Sequence, residues 1–167
     1  METSIRRILI PTDFSPPARQ AEHYAVALSQ KFSAELHVLH VVEDPALPIH
    51  GSRYSWAVPD DILPRLLEKA EHELSLAVPT ADLNLIGQKL VRKIVVGHPV
   101  NSINEYAIEH HIDLIVIGTH GRSGLSHLLL GSSAENLVRM STCPVLTVHP
   151  NGHQFVEKGS KDQVTSE

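Results

Sequence analysis

The chain has 167 residues, a formal net charge of −5 and one cysteine, Cys143. Its length fits a single domain with room for loops or a tail. The 14 lysine and arginine residues form no long cluster, which argues against a nucleic-acid or membrane-surface partner. One cysteine excludes an intrachain disulfide and a multi-cysteine metal site. Cys143, beside Pro144, is predicted to be a small core residue rather than a nucleophile.

The two ends of the chain bear on its location and its domain limits. The start, METSIRRILIPTDFS, lacks the apolar stretch of a signal peptide, and no segment approaches the roughly 18 apolar residues that span a membrane. We therefore expect a soluble, cytoplasmic protein with no membrane insertion. The chain turns polar after Pro150, so we expect one domain over residues 1–150 and a mobile C-terminal tail over residues 151–167.

Short segments rich in Val, Ile and Leu alternate with helical patterns along the chain. Strands are predicted at residues 5–11, 34–42, 89–97, 113–118 and 144–149. Helices are predicted at residues 15–33, 60–78, 99–110 and 132–140. Ser15 is predicted to cap the first helix, which begins with Pro16, and Pro64 to interrupt or restart the second. Strands separated by helices pair in parallel through right-handed crossovers. The predicted fold class is therefore α/β, a three-layer, doubly wound parallel sheet of five strands.

The loops that follow the strands are the places to look for a ligand, because ligands of such sheets bind beyond the carboxyl ends of the strands. The loop after the second strand, residues 43–60, is long and contains Tyr54 and Trp56. It can be a lid or an irregular surface loop. The loop after the fourth strand leads through four glycines to a helix that begins with two serines: Gly118, Gly121, Gly124, Gly131, Ser132 and Ser133.

These glycines and serines suit an anion, most simply a phosphate. Glycine lets a ligand approach the backbone closely, and the start of a helix offers unpaired N–H groups. Ser132 can add a hydroxyl donor and can also cap the helix, since a capping serine lies beside the exposed amides, and the glycines can be simple turn formers. The loop is not a Walker A motif, because no lysine precedes Ser132. It does not match the dinucleotide fingerprint, whose glycines follow the first strand.

The glycine spacing, G-x-x-G followed nine residues later by G-S, resembles the signature of ATP-binding universal stress proteins. The segments ILIPTDFS, LHVV, GHP, DLIVIGTHGRSG and CPVLTV resemble the same family, and the resemblance covers residues 4–149. It implies an adenine nucleotide alpha hydrolase-like fold and an ATP-binding stress-response or signalling protein. ADP or AMP could take the place of ATP, and Mg²⁺ could accompany the phosphates.

The resemblance also implies which residues would bind the nucleotide: Pro11, Thr12, Asp13, Val41, Gly118, Thr119, Gly121, Arg122, Gly131, Ser132 and Ser133. Asp13 would hydrogen-bond the ribose, the backbone at Pro11, Thr12 and Val41 would frame the adenine, and the glycines with Ser132 would hold the phosphates. Two alternatives follow from the residues themselves. Asp13 can be a turn residue or a helix cap, and Arg122 can be a solvated loop residue.

The residues favour a protein that holds its nucleotide with at most slow hydrolysis. Phosphoryl transfer usually needs a metal-binding carboxylate and a residue that places the nucleophile, and the loop after the fourth strand offers neither. We therefore predict no catalytic residue. One alternative is an ATP-hydrolysing enzyme of the related alpha-hydrolase-like group, although PTDFSPP replaces that group's S-G-G-x-D-S loop. Another is a nucleotide-free interaction module, although the glycine signature is intact. An unidentified protein partner is compatible with all three.

The 12 histidines are scattered and form no H-E-x-x-H pattern, so we predict no metal site. Only His98 and His120 fall in strand-following loops near the proposed site, where a positioning role is favoured over metal ligation. The resemblance further implies a homodimer joined through the last strand, residues 144–149. In the expected strand order 3-2-1-4-5 this strand lies at a sheet edge, and two copies of it must pair antiparallel across a twofold axis.

Overall fold

The structure is a computed structural model that describes residues 4–45, 59–78, 89–119 and 131–149. Several parts of the sequence interpretation lie outside these residues. They are most of the loop at 43–60, the tail at 151–167, His120, Gly121, Arg122 and Gly124.

Strands and helices alternate along the described chain as the sequence predicts, with element ends shifted by one or two residues at most. The elements are β1 Arg7–Pro11, α1 Pro16–Phe32, β2 Glu35–Val42, α2 Ile62–Leu76, β3 Leu90–Val96, α3 Pro99–Glu109, β4 Leu114–Gly118, α4 Ser132–Met140 and β5 Val145–Val148. All neighbouring strands are parallel, in the order β3-β2-β1-β4-β5. The predicted fold class is confirmed.

The helices cover both faces of the sheet, and β1 shows why. Ile8 and Ile10 pack into the cluster under α1 and α2, whereas Leu9 packs into the cluster under α3 and α4. All three side chains are fully buried, because successive residues of a strand point to opposite faces. The winding reverses between β1 and β4, which leaves a crevice at the carboxyl ends of these two strands.

The helix starts follow from local sequence signals. The Ser15 hydroxyl accepts a hydrogen bond from the Ala18 N–H at 3.4 Å, with Pro16 as the first helical residue, so the predicted cap is confirmed. The prediction that Pro64 interrupts α2 is wrong. Pro64 is the third residue of that helix, where a backbone N–H has no intrahelical partner and its loss costs nothing.

His37 and Tyr106 show how a histidine of this chain is accommodated in the core. His37 lies on β2 under α3, and its Nδ1 is 2.9 Å from the Tyr106 hydroxyl. Burial lowers the pKa of His37.

Within the described residues, no group of three or more His, Cys, Asp or Glu side chains could hold a metal ion. No helix described here combines the length and apolar character that crossing a bilayer requires.

Gly118 is needed by the fold because β4 ends directly against the start of α1. A Cβ at Gly118 would lie 2.6 Å from the Pro17 carbonyl oxygen and 2.8 Å from its carbon. Backbone atoms of a helix cannot move without shifting the whole helix. We therefore expect Gly118→Ala to lower the free energy of unfolding by about 1–3 kcal/mol in urea denaturation.

Gly97 is the matched control, because it also stands at the carboxyl end of a strand, directly after β3, whereas Gly118 is the last residue of β4. A Cβ there would meet the Ser102 hydroxyl oxygen at 2.6 Å, and that side chain can rotate away. Gly97→Ala should therefore cost clearly less than Gly118→Ala. Equal losses in the two variants would contradict the assignment of Gly118 to helix packing.

Candidate functional site

The carboxyl ends of β1, β2 and β4 open into a cavity of about 490 Å³. This volume falls within the roughly 300–1,000 Å³ of typical small-molecule sites. Nine of the eleven residues proposed from the sequence line it: Pro11, Thr12, Asp13, Val41, Gly118, Thr119, Gly131, Ser132 and Ser133. The other two, Gly121 and Arg122, lie outside the described residues. The fold therefore brings segments from distant parts of the sequence to one place.

The loop after β1 presents Asp13 at the cavity in a fixed turn. The Ser15 N–H donates to Oδ1 of Asp13 at 3.0 Å, so the turn role that the sequence left open is present. Phe14 has a φ of 64°, in the left-handed region that costs a non-glycine residue free energy unless other contacts compensate. The ring of Phe14 stacks on that of His40, with centroids 4.4 Å apart.

Thr12 is the point where this loop is fastened to the rest of the protein. Its N–H donates to the Leu39 carbonyl at 2.9 Å, and its carbonyl accepts from His40 Nδ1 at 2.7 Å. Its hydroxyl accepts from the Phe14 N–H at 3.1 Å and donates to Glu22 Oε1 at 3.3 Å. Every polar atom of Thr12 is therefore bonded within the protein. Because a carbonyl oxygen can only accept, the His40 proton must be on Nδ1.

The start of α4 forms the opposite part of the cavity wall. Gly131 is the N-cap residue, with φ −58° and ψ 146°, and its N–H donates to the Thr119 carbonyl at 2.6 Å. Ser132 is the first helical residue, so the alternative that it caps the helix is wrong. Glycine has no side chain with which to cap, so the first amides of α4, which have no intrahelical partner, adjoin the cavity at the positive end of the helix dipole.

Three residues that the sequence interpretation missed support the site: Phe14, Glu22 and His40. Glu22 offered a signal, because a carboxylate directly after Ala21 lies on the apolar side of the helical pattern, and it is only 9% exposed. Burial raises the pKa of Glu22, although hydrogen bonds to Thr12 and to the backbone of Val78 and the charge of Arg19 oppose the rise. Its partners could be found only from the structure.

Helix α2 supplies a further part of the wall that the sequence did not indicate. Leu66, Lys69, Ala70 and Glu73 line the cavity from this helix, at the three- and four-residue spacing of one helical face. Apolar side chains from the cluster under α3 and α4, including Leu39 and Ile103, line it as well. The cavity thus combines apolar walls with polar groups at its two ends, as small-molecule sites do.

Two other residues singled out from the sequence have no direct part in this cavity. His98 is exposed and occupies the N-cap position of α3. Cys143 is half-buried, packs against the cluster under α3 and α4, and has its thiol 3.7 Å from the Ser141 hydroxyl. Burial raises the pKa of the Cys143 thiol, which disfavours the reactive thiolate and agrees with a packing role.

Comparisons with known proteins agree with this geometry. The universal stress protein family model matches residues 4–149. Universal stress protein MJ0531 of Methanocaldococcus jannaschii is 35% identical over 150 residues, covering 88% of this chain and 84% of the relative. The solved structure of MJ0577 from the same organism has a TM-score of 0.75 at 29% identity, over 90% of this chain and 100% of its own. A universal stress protein solved in complex with cAMP has a TM-score of 0.65 at 26% identity, over 89% of this chain and 99% of its own. The chain therefore belongs to the universal stress protein family.

Proposed function

We propose that this protein binds ATP in the cavity at the carboxyl ends of its strands and acts as a stress-response or signalling module. The observation that carries the proposal is Gly131 at the start of α4. Its φ of −58° and ψ of 146° are open to any residue, so the turn does not require glycine there. What the missing side chain does provide is close access to the helix amides beside the cavity.

The two ends of the cavity suit the two ends of an adenine nucleotide. Gly131, Ser132 and Ser133 offer amides and hydroxyls to the phosphates, and the Asp13 carboxylate offers an acceptor to the ribose. The backbone near Pro11 and Val41 would frame the adenine. Thr12 would contribute by position, because its N–H and carbonyl already bond to Leu39 and His40. The cAMP complex of a relative supports an adenine nucleotide as the ligand class.

Mg²⁺ would come with the phosphates rather than occupy a protein cage. The described residues hold no cluster of three or more His, Cys, Asp or Glu side chains suited to a metal. Magnesium bound mainly by phosphates and water is common in nucleotide sites and needs few protein ligands.

We further propose that residues 1–150 form one domain with residues 151–167 as a tail, which the family match over residues 4–149 supports. The single cysteine fits a cytoplasmic location.

We expect the protein to bind ATP and to hydrolyse it only slowly. Gly131, Ser132 and Ser133, which would meet the phosphates, offer amides and hydroxyls but no lysine and no carboxylate. ATP hydrolysis with Mg²⁺ should therefore be far slower than the roughly 1–100 per second of kinases. A rate in that range that copurifies with the protein and disappears in Gly131→Val would overturn the holding function in favour of an enzyme.

A substitution series at Gly131 tests the phosphate end directly. Ala and Val are similarly poor N-cap residues, so Gly131→Ala and Gly131→Val share that loss and differ in bulk. We expect Gly131→Val to weaken ATP binding at least about tenfold, equivalent to about 1.4 kcal/mol, and Gly131→Ala to weaken it less. Ser132→Ala should be mild, because it removes one hydroxyl and leaves the amides. Asp13→Ala should weaken adenosine as well as ATP.

Calorimetric titration with ATP and adenosine measures these effects, alongside thermal unfolding without ligand. Val138→Ala is the control on the same helix, since Val138 is 51% exposed and does not line the cavity. It should leave both titrations unchanged. If Gly131→Val binds ATP as the parent does, Gly131 is only a turn residue and the proposed ATP binding at this cavity is wrong.

We also propose that two copies pair through β5, which lies at a sheet edge. The Pro144 and Val148 carbonyls accept from Ile115 and Thr119, so the backbone groups of residues 144, 146 and 148 point towards β4. The backbone groups of Val145 and Thr147 therefore point outward, where a second copy can bond to them in antiparallel fashion.

This geometry predicts opposite outcomes for two proline substitutions. Thr147→Pro removes an outward N–H and should give a folded monomer, because proline is tolerated on the open side of an edge strand. Leu146→Pro removes an N–H of the β4–β5 ladder and should destabilise each protomer. Light scattering at micromolar concentration and thermal unfolding distinguish the two effects. A parent protein that is monomeric, or a Thr147→Pro variant that stays dimeric, would contradict pairing through β5.

A further inference from the structure

Glu22 is a buried carboxyl group in the core side of α1 that packing alone does not explain. It is 9% exposed, and its Oε1 accepts a hydrogen bond from the Thr12 hydroxyl at 3.3 Å. It also bonds to the backbone of Val78, just beyond the end of α2. One side chain therefore contacts both Thr12, which precedes Asp13 and lines the cavity, and the chain just beyond α2.

Burial makes the ionised Glu22 carboxylate unfavourable for the stability of the folded chain. Its pKa is raised above the usual 4.5, mainly by desolvation. As the pH rises above 4.5, the unfolded chain releases the proton before the folded chain does, so ionisation favours unfolding in that window. The charge of Arg19, on the same helix, lowers the pKa of Glu22 slightly, and Arg92 on β3 donates through Nη2 to the Val78 carbonyl at 2.8 Å. A buried charge that costs stability is a candidate for a functional role.

The bonds around Thr12 give that role a direction. The Thr12 hydroxyl makes two hydrogen bonds: it donates to Glu22 and accepts from the Phe14 N–H at 3.1 Å. Phe14 holds a φ of 64°, which needs compensating contacts. Asp13 lies between these two residues, so its backbone cannot rotate without breaking the bond between Phe14 and Thr12. Removing the acceptor at Glu22 would leave the Thr12 hydroxyl without the partner that orients it.

We propose that Glu22 is a positioning residue for the nucleotide site, which acts through the Thr12 hydroxyl to hold Asp13 in place for the ribose. The proposal rests on the proposed function for its ligand but on the geometry around Thr12 for its mechanism. Glu22 does not line the cavity, so it would not touch the nucleotide itself. Its bond to the backbone of Val78 also holds the Glu22 carboxyl group from the side of the chain that leaves α2.

The test compares Glu22→Ala, Glu22→Gln, Thr12→Val and the double variant Glu22→Ala/Thr12→Val. Two quantities are measured: the ATP dissociation constant by calorimetry, and the hydrogen-exchange rate of the Phe14 amide by NMR in the nucleotide-free protein. Glu22→Ala should weaken ATP binding about tenfold and speed exchange at Phe14. Glu22→Gln keeps an acceptor oxygen for the Thr12 hydroxyl and should restore most of both. Adding Glu22→Ala to Thr12→Val should change the affinity no further, because the two groups act in series.

Ser29→Ala is the matched control on α1. Ser29 is fully buried, and its hydroxyl donates to the Val26 carbonyl at 2.8 Å within the same helix. It should lower the melting temperature without changing ATP affinity or Phe14 exchange. If ATP binds the parent but Glu22→Ala and Glu22→Gln alter neither quantity, the positioning role is wrong while the proposed function stands. If Phe14 exchange responds as expected but the parent binds no ATP, the loop is held as described and the proposed function is wrong. Should Glu22→Ala fail to fold, Glu22→Met takes its place, because it keeps the side-chain volume and removes the acceptor oxygens. Unchanged ATP affinity and unchanged Phe14 exchange in Glu22→Met would overturn the proposal.

Discussion

The burial of β1 between β2 and β4 is the constraint on which the rest of this structure depends. Ile8, Leu9 and Ile10 are fully buried, and β1 pairs in parallel with a neighbour on each side. A strand in this position must be apolar on both faces, and helices must then cover both faces. The winding reverses beside it, so α1, which follows β1, and α4, which follows β4, lie on opposite faces of the sheet and leave the cavity between them. Gly118 against the Pro17 carbonyl marks how closely β4 and α1 meet at its edge.

The cavity is kept open by polar bonds within the protein as much as by its shape. A loop at the carboxyl edge of a parallel sheet carries backbone groups that must find partners once they are buried. In the loop after β1 those partners are Leu39, His40 and Glu22, and together they satisfy every polar atom of Thr12. A loop held in this way loses little further freedom when a ligand arrives, which lowers the entropic cost of binding.

The two ends of the cavity differ in the kind of stabilisation they can provide. The start of α4 offers fixed amides and a helix dipole, which attract an anion without moving a proton. The loop after β1 offers a carboxylate acceptor, Asp13, held by its own turn. The cavity is lined by residues of β1, β2 and β4 and of all four helices, so a ligand that fills it contacts both helix layers. Binding would then stabilise the folded chain as a whole by mass action, which suits a protein that reports the presence of a nucleotide.

The sequence by itself determined the order and type of the elements, because the strands are short apolar runs and the helices carry local caps such as Ser15 and Pro16. It also indicated the glycine-rich approach to α4 and the position of Asp13 after β1, since glycines and polar residues at strand ends are visible without a structure. It misjudged the effect of Pro64 and left open whether Ser132 caps α4, because the exact first residue of a helix depends on which N–H groups already have partners. Only the tertiary structure joined Glu22 and His40 to Thr12, and only it turned Lys69 and Glu73 of α2 towards the cavity. These contacts join residues from separate elements, and the packing of α1 and α2 on the sheet, which no local pattern encodes, decides which of them meet.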